Sequence, residues 1–171
     1  MRICGVTDSK RWFTVLASLL VLLSSAFADE SGWRYRFEPT EGITAAAQPN
    51  DANLRELAAG GYSAVIDLRT EEENRGIDEQ SVVESLGMDY VSLPIAGRSA
   101  LNFDNARQLD EILSQFDEPV LVHCGSGNRV GALLALREIM NGAEKEDALA
   151  FGRSAGMTSL EDTVIERMAE K

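Results

Sequence analysis

Histidine and cysteine are nearly missing from this sequence, with one His and two Cys in 171 residues. A single histidine, His123, excludes a multi-histidine metal centre and a Ser-His-Asp triad with a histidine of its own. Basic residues are scarce as well: 16 Lys and Arg stand against 28 Asp and Glu. The longest uncharged apolar run, Trp12 to Ala28, falls short of the roughly 20 residues a membrane-spanning helix needs. No internal repeat, low-complexity tract or linker divides the chain beyond that run.

The run itself reads as the core of a secretory signal peptide over residues 1–28. Arg2, Lys10 and Arg11 form a positive n-region, Trp12 to Leu23 the apolar core, and Ala26-Phe27-Ala28 a small-x-small cleavage motif. Cleavage after Ala28 predicts a periplasmic or secreted chain of 143 residues (171 less 28), long enough for one domain with a real core. Three of the 16 bases and one of the 28 acids, Asp8, leave with the signal, so the formal charge falls from −12 to −14. So acidic a body repels phosphate backbones and anionic membranes, and no stable membrane span remains after processing. Cys4 leaves too, which makes Cys124 the sole thiol. Disulfides within the domain and zinc sites built on cysteine pairs are thereby excluded, and the reading calls for no metal or cofactor.

Residues 29–42 read as an N-terminal arm and 43–171 as the folded domain. Within the domain, short apolar runs alternate with segments of helical period. Pro49-Asn50-Asp51 starts a helix with Leu54 and Leu57 on its apolar face and Gly60-Gly61 as its stop. Tyr62 to Leu68 reads as a strand, Thr70 to Gly76 as a charged loop, Asp78 to Leu86 as a helix and Met88 to Ile95 as a strand. Leu109, Ile112, Leu113 and Phe116 share one helical face, Pro119 to His123 is a strand, and Arg129 to Met140 an apolar helix. Two helices follow, the last opened by a capping box, Thr158-x-x-Glu161. Alternation of this kind predicts an α/β fold, with a parallel-rich central sheet of about four strands flanked by helices and ligands at the carboxyl ends of the strands.

At one of those ends stands PVLVHCGSGNRVGALLAL. Cys124 ends a strand and Arg129 begins a helix, with Gly125, Ser126, Gly127 and Asn128 between them. Two glycines in four residues let the backbone curl so that successive N–H groups face one anion. The positive end of the helix reinforces that field, which favours a thiolate. Cys124 is the candidate nucleophile, and the Arg129 guanidinium can hold two oxygens of a tetrahedral anion. A cation at the positive end of a helix is electrostatically misplaced unless it serves an anion. His123 either supports the loop from beneath or takes part directly.

His-Cys-x-x-Gly-x-Arg after a PVLVH strand resembles the active-site loop of cysteine-dependent phosphatases. The wider stretch from Ile43 to Gly156 is similar to the bacterial beta-lactamase-hydrolase-like protein phosphatase-like family, itself like dual-specificity phosphatases in fold. The markers are Ala47 to Pro49 (AQP), Val65 to Arg69 (VIDLR), Leu93-Pro94 and His123 to Arg129. The resemblance implies a dual-specificity-phosphatase-like fold, Cys124 as nucleophile, Arg129 as phosphate-binding arginine and Gly125 to Asn128 as the backbone cradle. The implied ligand is a small phosphorylated or sulfur-containing anion, or a phosphoprotein.

Two departures limit what the resemblance carries over. Ordinary tyrosine and dual-specificity phosphatases place five residues between Cys and Arg, and here there are four; they follow the Arg with Ser or Thr, and here Val130 stands there. A loop of this length resembles that of rhodanese sulfurtransferases, and Ile66 to Glu73 (IDLRTEEE) resembles their Asp-x-Arg segment. The general acid of dual-specificity phosphatases is also missing from its place after Pro94-Ile95, where Ala96-Gly97 follow. Asp104 is the nearest downstream candidate, Arg69 a candidate substrate contact or a partner for the run Glu71-Glu72-Glu73, and Arg98 a weaker one. Three functions therefore remain open: an exported cysteine-dependent phosphatase, a sulfurtransferase carrying a Cys124 persulfide, and a catalytically weak anion-binding or redox-sensing module.

Overall fold

The computed structural model describes residues 33, 35–40 and 42–170. The predicted signal peptide and its expected cleavage point after Ala28 lie outside the described residues. The elements run β1 (Arg36–Thr40), β2 (Ile43–Ala46), α1 (Asp51–Ala59), β3 (Ala64–Asp67), α2 (Glu79–Ser85), β4 (Asp89–Ser92), α3 (Phe103–Leu113), β5 (Val120–His123), α4 (Asn128–Met140), α5 (Lys145–Ser154) and α6 (Glu161–Ala169). They form one five-stranded sheet in the order β1-β2-β5-β3-β4, parallel throughout except for β1, which pairs antiparallel with β2.

Every residue of β3 and β5 is buried, as expected for strands covered on both faces. Ala45, Ile66 and Val122 pack with Leu133, Leu136 and Leu149 on the face covered by α3 to α6. Ala46, Val65 and Leu121 face the other way, onto Leu54 and Leu57 of α1 and Val83 of α2. Between α3, α5 and the sheet, α4 is buried at every position from Val130 to Leu136, which explains why its sequence is apolar all round. Gly131 and Gly152 let α4 and α5 touch through their backbones: a Cβ on Gly131 would lie 2.3 Å from the Met157 nitrogen and 2.5 Å from the Gly152 oxygen.

The segment read as an N-terminal arm supplies the fifth strand. β1 carries Pro39 without penalty because it is an edge strand, and its register slips between Phe37 and Thr40. Trp33 is buried, its indole N–H bonded to the Ala47 carbonyl at 3.2 Å, and Arg36 reaches Glu56 of α1 at 3.0 Å. The predicted helices are present, with α1 capped by Asn50 and Asn53, each side chain accepting from the other's backbone. The capping box expected at Thr158 and Glu161 does not form. The backbone N–H of Thr158 goes to the Asn128 side chain at 2.8 Å, and Glu161 pairs with Arg153 at 2.5 Å, while α6 starts without a side-chain cap.

Candidate active site

Ala46, Asp67 and His123 lie side by side at the ends of β2, β3 and β5, so the three strands deliver their loops to one place. Cys124 follows β5 with its side chain fully buried and its N–H on the Ala46 carbonyl at 3.3 Å. The chain then turns through Gly127 at φ +85, a conformation glycine adopts without strain, and enters α4. That turn aims the Gly127 N–H at the Cys124 sulfur, 3.1 Å away. No side chain caps α4, so the N–H groups of its first turn remain free for an anion. Gly125 and Ser126 form the exposed rim of the loop, and Ser126 bridges back to Ala47.

Arg129 stands beside the loop, and its own partner is Glu73. The two make a forked pair, Nη1 to Oε1 at 2.6 Å and Nη2 to Oε2 at 2.5 Å, and Nη1 also donates to the carbonyl of Ile95 at 3.1 Å. The Glu73 bond raises the arginine's pKa against the effect of burial, and the nearby Cys124 sulfur adds to the rise. Glu73 in turn is held below the usual carboxylate range, first by Arg129. Its Oε1 also accepts the Thr70 N–H at 3.0 Å.

Other candidates settle elsewhere. Arg69 is not a substrate contact: it is fully buried, bonded to both oxygens of Asp67 at 2.8 and 2.9 Å and to Glu79. Nor does it pair with the Glu71–Glu73 run, whose Glu73 goes to Arg129. The Asn128 side chain turns away from the loop and latches Thr158 N–H and Ser159 Oγ, each at 2.8 Å, leaving only its backbone in the cradle. Arg98 ties the α6 region through Thr163 Oγ1 at 2.5 Å. Asp104 stands on the exposed first turn of α3, its side chain 84% accessible and paired with Arg107, so it is a helix-start acid and has no contact with the loop.

His123 is fully buried beneath the loop, with Nε2 2.6 Å from Glu79 Oε1, close but without hydrogen-bond alignment. Around it Asp67 accepts from Arg69, Arg75 and Tyr90. Burial opposes ionisation of Asp67, but the Arg69 guanidinium and N–H and the Tyr90 hydroxyl outweigh it and hold the carboxyl down to about 2. Burial and the same bond push Tyr90 up to about 12. Asp67, Glu79 and His123 have ligand atoms within 4.8 Å of one another, the spacing of a metal site. Two cations already face the two carboxylates there, however: Arg69 bonds both from within the cluster and Arg75 bonds Asp67, which makes a further cation unfavourable. The cluster serves as a charge-paired floor that fixes β3, β5 and the loop after β3.

Glu73, Glu79, Arg75 and Tyr90 belong to the site or its floor and are not singled out from the sequence. The signal available was the spacing Asp67-x-Arg69-x-x-x-Glu73, a charged loop directly after a buried strand.

The family model "DSP-PTPase phosphatase fused to NAD+ Kinase" matches residues 37–167. The beta-lactamase hydrolase-like protein of Agrobacterium fabrum is 31% identical over 121 residues, 68% of this chain and 28% of that protein, and its Xylella fastidiosa counterpart is 34% identical over the same shares. The chain thus spans little more than a quarter of these curated relatives. Among solved structures, a candidate phosphatase from Neisseria meningitidis superposes with a TM-score of 0.68 at 19% identity, covering 79% of this chain and 97% of its own. Tk-PTP in its active form gives 0.60 at 20% identity, covering 81% and 99%. These likenesses establish the fold. With the family match extending over most of the described residues, the chain belongs to the DSP-PTPase phosphatase family and is a phosphatase-type hydrolase.

Proposed function

We propose that the chain is an exported, cysteine-dependent hydrolase of phosphomonoesters that works through a Cys124 thiophosphate. The observation that carries this reading is the convergence, on one loop, of the Cys124 sulfur, the Gly127 N–H 3.1 Å from it and the Arg129 guanidinium. A phosphoryl group seated there meets a nucleophile on the floor, amide donors around it and a two-pronged cation at the side. The thiolate attacks phosphorus, the sulfur–phosphorus bond forms, and the bond to the ester oxygen breaks with a proton going to that oxygen. Water then attacks phosphorus, the thiolate leaves, and inorganic phosphate departs. Val130 supplies no hydroxyl to assist the departing sulfur, so the second step rests on the loop amides and Arg129.

Hydrolysis of p-nitrophenyl phosphate, measured beside sulfur transfer from thiosulfate to cyanide, tests the reading. Hydrolysis that disappears in Cys124→Ser is the expected result, and hydrolysis that persists removes the nucleophile assignment. Transfer to cyanide without hydrolysis replaces the phosphatase with a sulfurtransferase. If neither reaction occurs and sulfate binds until Arg129→Ala, the chain is an anion-binding module. Export rests on residues 1–28 alone. A mature protein beginning at Asp29 on N-terminal sequencing is expected, and retention of the signal in the fully processed protein overturns it.

A further inference from the structure

The acid that phosphate-ester cleavage needs is absent from the loop after β4, and Asp104 points into solvent. One carboxylate does reach the anion site. Glu73 holds Arg129 by a fork of two hydrogen bonds, the grip a phosphoryl group would take. Its Oε2 would lie 3.6 Å from a side-chain carbon built on Gly125, so it stands directly over the loop. Cys124 is fully buried at the floor, whereas the Glu73 side chain is 32% accessible, at the mouth. A tetrahedral anion entering between them meets the sulfur on one side and turns its fourth oxygen, the ester oxygen, outward toward Glu73.

We propose that Glu73 is a catalytic acid of this site that rests in the seat of the substrate's oxyanion. It is released when the substrate takes Arg129. This inference rests on the phosphatase reading and adds its missing proton donor. At rest the carboxylate is ionised, held by Arg129, with Arg69 farther off and the Glu72 carboxylate beside it. Exchange removes its cation and leaves it facing an anion; both changes favour uptake of a proton from solvent. As sulfur attacks phosphorus and the ester bond breaks, that proton passes from the Glu73 carboxyl to the leaving oxygen. The carboxylate so formed takes a proton from the water that attacks the thiophosphate, which restores the acid form. Departure of phosphate frees Arg129, and Glu73 loses the proton and returns to it. The Thr70 N–H on Oε1 and the Arg75 link to Asp67 keep the loop tethered through the exchange.

A leaving-group series separates this role from a plug or a brace. In Glu73→Gln, kcat/KM on phenyl phosphate, a poor leaving group, is expected to fall by about 100-fold or more. On p-nitrophenyl phosphate, whose leaving group needs little protonation, it falls by less than about tenfold, and Glu73→Asp recovers part of the loss. Equal falls on both esters, or a rise on both, overturn the acid role. A second measurement needs no turnover: calorimetry of sulfate binding to Cys124→Ser near pH 5.5, in buffers of different ionisation heat. Net proton uptake is expected, with tighter binding and no uptake in the Cys124→Ser, Glu73→Gln double variant. Uptake that is the same with and without Glu73 overturns the exchange. Failure of the unmodified protein to hydrolyse either ester removes instead the phosphatase reading on which the acid role rests.

Discussion

Gly131→Ala tests whether the contact between α4 and α5 holds the site in place. The added Cβ falls 2.3 Å from the Met157 nitrogen and 2.5 Å from the Gly152 oxygen, both backbone atoms that cannot swing aside. Those two atoms are also bonded to each other at 2.8 Å. Restoring an ordinary contact requires α5 and the turn after it to move about 1 Å from α4. Overpacking of this kind costs about 1–3 kcal/mol, and disturbing the buried hydrogen bond adds about 1 kcal/mol. A loss of about 2–4 kcal/mol is a large share of the 5–15 kcal/mol that holds an ordinary domain. The expected fall in Tm is about 6–15 °C. Because Asn128, at the start of α4 beside Arg129, is latched to Thr158 in the segment that moves, the shift reaches the cradle and lowers kcat by about 100-fold. Urea unfolding with an unchanged m-value measures the first effect and steady-state hydrolysis the second. Gly87→Ala is the control: its φ is +82 but nothing lies within 4 Å of the new carbon, so it carries only the left-handed backbone cost of about 1–2 kcal/mol. A Gly131→Ala loss below about 0.5 kcal/mol, or one no larger than the control's, refutes the reasoning.

Arg69→Met leaves Asp67 and Glu79 buried beside each other with their shared cation gone, and a loss of about 3–5 kcal/mol is expected in urea unfolding. Wild-type stability in that variant would show that the cluster is not held by Arg69. Asp67 sits at about 2 in the fold against 3.8 as a free side chain. Its contribution, about 2 kcal/mol, is therefore fully present above pH 4 and lost as pH falls from 4 to 2, and this part of the pH dependence disappears in Asp67→Asn if the account is right. Asp104→Asn leaves kcat/KM within about twofold of the unmodified protein, whereas loss of an acid catalyst would lower it by about 100-fold or more.

The loop from His123 to Arg129 is legible because its information is local. Strand, thiol, two glycines, arginine and helix follow one another within a dozen residues, and the backbone that links them leaves little choice of geometry. Arg129 has its partner 56 residues away, in a loop where three glutamates follow one another, and no local pattern marks which of them turns inward. Arg69 was misplaced for a related reason. A charged residue directly after an apolar strand reads equally as a surface contact or a buried ion, and only the arrival of Glu79 and His123 from other elements decides it. β1 was missed because RFEPT has neither an apolar run nor a clean alternation, and an edge strand needs neither. The Thr158 capping motif failed through competition: Asn128 took the Thr158 N–H that signalled a helix start.

The last strand in the chain is the middle strand of the five-stranded sheet. β5 inserts between β2 and β3, which do not pair with each other, and pairs Ile43 and Ala64 with Val120 from opposite sides. Until Val120 to His123 emerge, the first two-thirds of the chain holds two separate strand pairs, β1-β2 and β3-β4, and no common sheet. Folding must therefore wait on contacts distant in sequence, which slows it and makes it all-or-none. Cys124 follows the closing strand by one residue. Closing strand and thiol thus arrive together, so a chain that stops short of β5 has neither the common sheet nor Cys124.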